Sequence, residues 1–270
     1  MIAGARFTGP GVCFGEGGGS TIGPMPILVL QHSEHCHPGR LGATLRDHGF
    51  SLDIRRADIH PVGSSKGVPR DLDNVQGIVI LGGPQNVTDI AKYDWMQQEA
   101  ELIRMAHARE LPIIGICLGC QLIGHALGGS VDKREKPAVG FYPVSHTVPG
   151  QTEPVLAGIN WNHHQYFSCG QEVKTLPAGA SLLVTSKHTK HVVFRCGIRT
   201  FAVQYHFECD RALVENINAH SKDDMIAAGL TESELKVQLD QHYESFARLS
   251  DRLCVNLATL CFPVTKRLIA

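Results

Sequence analysis

Three stretches of this chain are apolar without a break: residues 27–30 (Ile-Leu-Val-Leu), 77–81 (Gly-Ile-Val-Ile-Leu) and 112–116 (Pro-Ile-Ile-Gly-Ile). A strand with one wet face alternates apolar and polar side chains, so a short uninterrupted run must be covered on both faces. Helix-like stretches separate these runs. Residues 40–48 follow the first, and residues 94–109 precede the third with Trp95, Ala100, Ile103, Met105 and Ala106 available to one side. Residues 51–54 read as a further strand. Short apolar strands alternating with helices predict a parallel sheet with helices packed on both sides.

Past Gly128-Gly129 the texture changes to shorter β-like pieces at 141–148, 181–185, 191–195 and 201–205. Residues 231–260 are helical in pattern and open with the capping-box spacing Thr231-x-x-Glu234. Residues 1–24 hold eight glycines and little apolar periodicity, which reads as a flexible extension ahead of Met25. A phosphate-cradling loop there is unsupported, because no strand leads in and no Gly-Lys-Ser/Thr follows. The expected organisation is that extension followed by a single α/β domain over 25–270, whose final 209–270 form a helical extension.

Composition narrows the function. With 25 basic and 26 acidic residues the net charge is −1, and no long basic run offers a nucleic-acid footprint. No apolar stretch approaches the roughly 20 residues of a membrane span. Nine scattered cysteines without a secretory signal suit a reduced, cytoplasmic setting in which most thiols serve as small buried hydrophobes.

One cysteine is placed differently. In Gly115-Ile116-Cys117-Leu118-Gly119 a strand ends, a thiol sits between two glycines, and a helix-like run over 121–127 begins. Small neighbours permit the strained turn of a nucleophile elbow, and the helix N-terminus beyond it favours a thiolate. A buried cysteine at a Gly-rich strand end is the plainer reading of the pentapeptide alone. Gly82-Gly83-Pro84 follows another strand, where ligands collect in parallel sheets and glycine amides can approach an oxyanion closely. Gln204-Tyr205-His206-Phe207-Glu208 ends the last strand, and there Glu208 can orient the His206 imidazole as a base for a thiol presented elsewhere.

In this order, Gly82-Gly83-Pro84, Gly115-x-Cys117-x-Gly119-x-Gln121 and His206-x-Glu208 resemble the class I glutamine amidotransferases, over roughly residues 26–208. The stretches Gln31-His32 and Pro38-Gly39-Arg40-Leu41-Gly42 are similar to its stand-alone, GMP-synthase-like group. The resemblance implies a flavodoxin-like three-layer sandwich around a mostly parallel sheet. It implies that Cys117 attacks the side-chain amide of glutamine, His206 moves the proton and Glu208 holds the imidazole. The N–H groups of Gly83 and Leu118 would form the oxyanion hole, and Gly82, Gln121, Gly170 and Gln171 would line the substrate. No cofactor and no metal are implied.

Two departures stand out. Phe207 replaces the proline common in His-Pro-Glu, with its side chain expected to face away. Cys169-Gly170-Gln171 stands where relatives often carry His-Gly-Asp in a substrate loop, so a neutral Gln171 would grip an ammonium less well than a carboxylate. His32-x-x-His35-Cys36-His37 could hold a metal, but a solvated loop is the better expectation because no distant ligand pair is evident. His163-His164 receives no role, and Cys120 is expected to pack. Three functions remain open: an amidotransferase subunit feeding ammonia to a separate synthase, a hydrolase of γ-glutamyl compounds using the same triad, or a non-catalytic relative.

Overall fold

The computed structural model describes residues 25–262, so the glycine-rich stretch 1–24 lies outside the described residues. Nine strands form one sheet in the order β2-β1-β3-β4-β9-β8-β7-β5-β6. Its parallel part contains β1 (Ile27–Gln31), β2 (Leu52–Arg56), β3 (Gly77–Ile80), β4 (Ile113–Ile116) and β9 (Thr200–Val203). The remainder is antiparallel: β5 (Ser130–His146), β6 (Asn162–Thr175), β7 (Ser181–Thr185) and β8 (Val193–Cys196). The fold is thus the expected α/β class, with a mixed sheet built on a parallel core.

The apolar strands divide their side chains between two cores. Ile27 and Val29 of β1 join Val79, Ile114 and Ile116 on one face, whereas Leu28 and Leu30 join Ile78, Ile80 and Ile113 on the other. The first core is roofed by α1 (Gly39–Asp47) and by the last helix, α7 (Glu232–Leu260), through Leu249, Leu253 and Leu257. The second is roofed by α2 (Asp94–Ala108) and α3 (Leu118–Ala126). In chain order, α4 (Val148–Thr152), α5 (Arg211–His220) and α6 (Lys222–Ala228) come between α3 and α7. The Thr231/Glu234 capping box forms as expected, and α7 runs 29 residues from it. Among the described residues no helix is long and apolar enough to cross a membrane.

Four expectations shift. The segment 167–171 is part of strand β6, paired with β5, rather than a loop. The strand expected at 141–148 starts at Ser130, and α3 begins at Leu118 rather than 121. His206-x-Glu208 lies in a turn beyond the end of β9 at Val203, and the Cys209 N–H closes it on the His206 carbonyl at 3.4 Å.

His163 on β6 provides a pH-sensitive element of stability. Its Nδ1 lies 2.7 Å from the Asn160 carbonyl, its buried Nε2 is without a partner, and its ring meets His146 edge-on at 5.6 Å. Burial, with His146 and His164 nearby, lowers its pKa from 6.5 to about 4. The unfolded chain therefore takes up a proton near pH 6.5 that the folded chain refuses until about pH 4. Stability should fall on acidification across that window, by on the order of 3 kcal/mol, and level off below it. His163→Asn, which keeps a donor in the Nδ1 position, is expected to flatten this window in urea unfolding measured from pH 7.5 to 4.

Candidate active site

The site is assembled where β1, β3, β4 and β9 end, at the carboxyl edge of the parallel core. The order β2-β1-β3 places a topological switch point beside it, the usual ligand position in open α/β sheets. Cys117 sits between β4 and α3 with φ 52° and ψ −102°, one of three non-glycine residues with positive φ among those described. Such a conformation costs on the order of 1–3 kcal/mol and persists only where surrounding structure enforces it. Here the enforcement is visible. The Cys117 N–H donates to the Val203 carbonyl at 2.9 Å, and its carbonyl accepts from the Gln121 N–H at 3.1 Å. A Cβ on Gly119 would lie 2.2 Å from the Ile80 carbonyl oxygen, and one on Gly115 would lie 2.5 Å from that of Gly119. The two glycines let the helix start press directly against the strands, which is what tips the thiol out of the sheet edge.

His206 and Glu208 come from the turn after β9. The His206 Nδ1 is 2.7 Å from Glu208 Oε1, and both residues are buried. Burial alone would depress the His206 pKa, but the charges of Glu208 and Cys117 and hydrogen bonds to Cys117 and Cys209 outweigh it and raise the value well above 6.5. Gly82 packs against both residues: a Cβ there would be 2.8 Å from His206 Cε1 and 3.5 Å from Cys117 Cβ. Gly82→Ala is therefore expected to wedge the two apart and lower turnover by about 10², the scale of an ångström-sized misplacement. Unchanged steady-state kinetics of the alanine variant would contradict that geometry.

Cys117, His206, Gly83, Leu118, Gln121, Gly170 and Gln171 line one cavity of about 570 Å³. Neither the Gly83 nor the Leu118 N–H has an acceptor among the described residues. Gln121 is held by its Nε2 on the Gln171 carbonyl at 3.0 Å. Both polar ends of the Gln171 side chain are engaged: Oε1 accepts from the Val87 N–H at 2.9 Å and Nε2 donates to Thr88 Oγ1 at 2.6 Å. Phe207 is fully buried in the apolar core beside Tyr205.

The histidine-rich loop after β1 disperses. His32 is completely buried against Glu99, which corrects the expectation of a solvated loop at that residue. His35 stacks on His220 at 3.6 Å, Cys36 lines the cavity, and His37 Nδ1 accepts from the Gly39 N–H. Among the described residues one group brings three metal-ligand atoms within 4.8 Å, namely His206, Glu208 and Cys209. Its imidazole and carboxylate already bind each other, and burial keeps the Cys209 thiol protonated, so the set is a poor metal site.

Sequence reasoning missed two features. The first turn of α6 brings Lys222, Asp223 and Asp224 to the cavity lining. Glu99 was legible in principle, because it falls on the buried stripe of α2 with Trp95, Met96, Ile103 and Ala106, where a carboxylate needs a partner.

The family model of glutamine amidotransferase class I matches residues 40–213. The chain belongs to that family. Members and relatives align well beyond the motifs. The glutamine amidotransferase-like protein YfeJ of Salmonella typhimurium is 27% identical over 214 residues, covering 76% of this chain and 84% of its own length. A glutamine-hydrolysing GMP synthase of Porphyromonas gingivalis is 31% identical over 147 residues, which span 52% of this chain and only 26% of that synthase. The solved glutamine amidotransferase of Methylobacillus flagellatus shares the fold, with TM-score 0.76 at 23% identity over 86% of this chain and 94% of its own.

Proposed function

We propose that the chain is a glutamine amidase in which Cys117, His206 and Glu208 form the triad. The observation that carries this reading is the placement of a conformationally strained thiol and a carboxylate-bound imidazole against the same Gly82, with Cys117 and His206 lining one cavity. The Cys117 sulfur attacks the side-chain amide carbon of glutamine while the carbonyl oxygen takes up negative charge facing the Gly83 and Leu118 N–H groups. His206 protonates the departing nitrogen, the C–N bond breaks, and ammonia leaves a γ-glutamyl thioester. Water, deprotonated by His206, then releases glutamate and restores the thiol. Gln121 and Gly170 contact the bound amino acid, and Gln171 holds the wall of the cavity through Val87 and Thr88. The ammonia passes to an acceptor on a separate synthase, in keeping with the GMP synthase relatives.

Purified protein given glutamine alone should release glutamate and ammonia in equal amounts. A second reading is favoured by the cavity itself, which at about 570 Å³ falls in the range of sites for ligands larger than one amino acid, about 300–1,000 Å³. On that reading the acyl donor is a γ-glutamyl compound whose leaving group occupies the remaining space. Cleavage of γ-glutamyl peptides with no turnover of glutamine would select it, and inertness towards both would refute the amidase.

A further inference from the structure

The buried pair His32–Glu99 has no part in the triad, yet its imidazole reaches the Gly82 carbonyl. His32 Nε2 lies 2.9 and 3.1 Å from the two Glu99 oxygens, and its Nδ1 lies 3.2 Å from the Gly82 carbonyl. Both residues are 0% exposed. A carbonyl accepts hydrogen bonds and so does a carboxylate, so the arrangement calls for a proton on each ring nitrogen. Burial opposes that charge, but Glu99 and the Gly82 carbonyl outweigh it and raise the His32 pKa. Both ring nitrogens face acceptors, an arrangement that favours the imidazolium form. Trp95, one helical turn before Glu99 on α2, stacks on it at 4.9 Å with 20° between the planes.

The consequence lies in the next peptide. The Gly82 carbonyl and the Gly83 N–H belong to one planar trans unit, so they point in opposite directions. A Gly-Gly peptide is the unit most free to rotate, because neither residue has a Cβ to forbid the alternative. Rotation would turn the carbonyl oxygen towards the place where the oxyanion forms and replace attraction by repulsion. The hydrogen bond from His32 Nδ1 to that carbonyl opposes the rotation. Gly83 also packs so tightly that a Cβ there would be 2.7 Å from His32 Cβ.

Resting on the amidase reading above, we infer that His32, fastened by Glu99 and Trp95, is a positioning residue that aims the Gly83 N–H into the oxyanion hole. An interaction felt only when charge develops on the oxygen acts on kcat and leaves substrate binding alone. The decisive variant is the double substitution His32→Phe with Glu99→Leu, which keeps a ring on Trp95 and strands no buried charge. Replacing a buried ion pair by apolar groups is often neutral for stability. Its kcat on glutamine should fall about 10–100-fold, somewhat less than the 10²–10³ for deleting an oxyanion donor outright, with KM unchanged. Alkylation of Cys117 by iodoacetamide, which forms no oxyanion, should proceed at the wild-type rate. Glu99→Gln can donate to Nε2 and leave Nδ1–H on the Gly82 carbonyl, so it should keep kcat within about three-fold of wild type.

Wild-type kcat in the double variant overturns the inference, and so does an equal loss of turnover and alkylation, which marks general disruption. If the double variant does not fold, nitrogen-15 spectra of wild-type His32 decide: both ring nitrogens protonated from pH 6 to 8 supports the grip, and an unprotonated Nδ1 overturns it. A wild-type chain that leaves glutamine intact removes the amidase reading and this inference together, an outcome distinct from all the others.

Discussion

Cys117→Ala is expected to abolish release of glutamate from glutamine, a loss on the order of 10⁶ for a nucleophile acting within a triad. No neighbouring thiol can substitute. Burial raises Cys36 to about 11, Cys169 to about 12 and Cys120 well above the usual thiol range. An electrophilic glutamine analogue should accordingly label Cys117 alone among the eight described cysteines. Mass-spectrometric labelling at Cys36 or Cys169 would move the nucleophile. The same position should also reveal its strain. Cys117 holds φ 52°, so Cys117→Gly should relieve part of the roughly 1–3 kcal/mol stored there. Against the ~0.5–1 kcal/mol entropic penalty of glycine, a net gain of about 1 kcal/mol in urea unfolding is expected from this inactive variant.

His206→Asn should lower turnover by about 10²–10⁴, the contribution of a general acid–base group, with Glu208→Gln costing less. A Glu208→Gln variant with the wild-type rate and pH profile would reduce the triad to a dyad. Stability supplies a second readout with a definite sign. The pairing raises the His206 pKa in the folded chain, so its contribution is fully present below pH 6.5 and fades as pH rises through the raised value. The gap in unfolding free energy between wild type and His206→Asn should therefore be widest in mild acid and narrow towards alkaline pH. A gap that widens with pH would mean that the imidazole is buried neutral.

The parallel core was legible because β1, β3 and β4 are apolar on both faces and alternate with helices that can cover them. The elbow was legible because the glycines around Cys117 are demanded by contacts within a few residues of chain and one neighbouring strand. Strand β6 was not, since its buried positions include His163, Gln165 and Gln171. A strand that turns polar side chains inward shows no apolar alternation. The grip on the Gly82 carbonyl was hidden for another reason: His32 and Glu99 are 67 residues apart, and only the packing of α2 over the sheet brings them together. Helices α5 and α6 fall inside the helical extension expected over 209–270, but their separate bounds were not legible: both are short, and α5 carries Leu213, Val214 and Ile217 as its only buried residues.

The family match ends at residue 213, but the molecule does not divide there. Arg40 bridges Tyr243 at 2.7 Å and Asp251 at 2.8 Å on α7, and its N–H donates to the Glu208 carbonyl at 2.8 Å. The Tyr243 hydroxyl also accepts from the Arg211 N–H at 2.9 Å. The last helix thus clasps the backbone that presents Glu208 while its leucines seal one face of the sheet. A fragment trimmed to the matched span would bare that face and leave the carboxylate's support unbraced. The unit that similarity marks out lacks the helix that covers one face of the sheet, so an excised or transplanted version of this chain is expected to need its C-terminal helix.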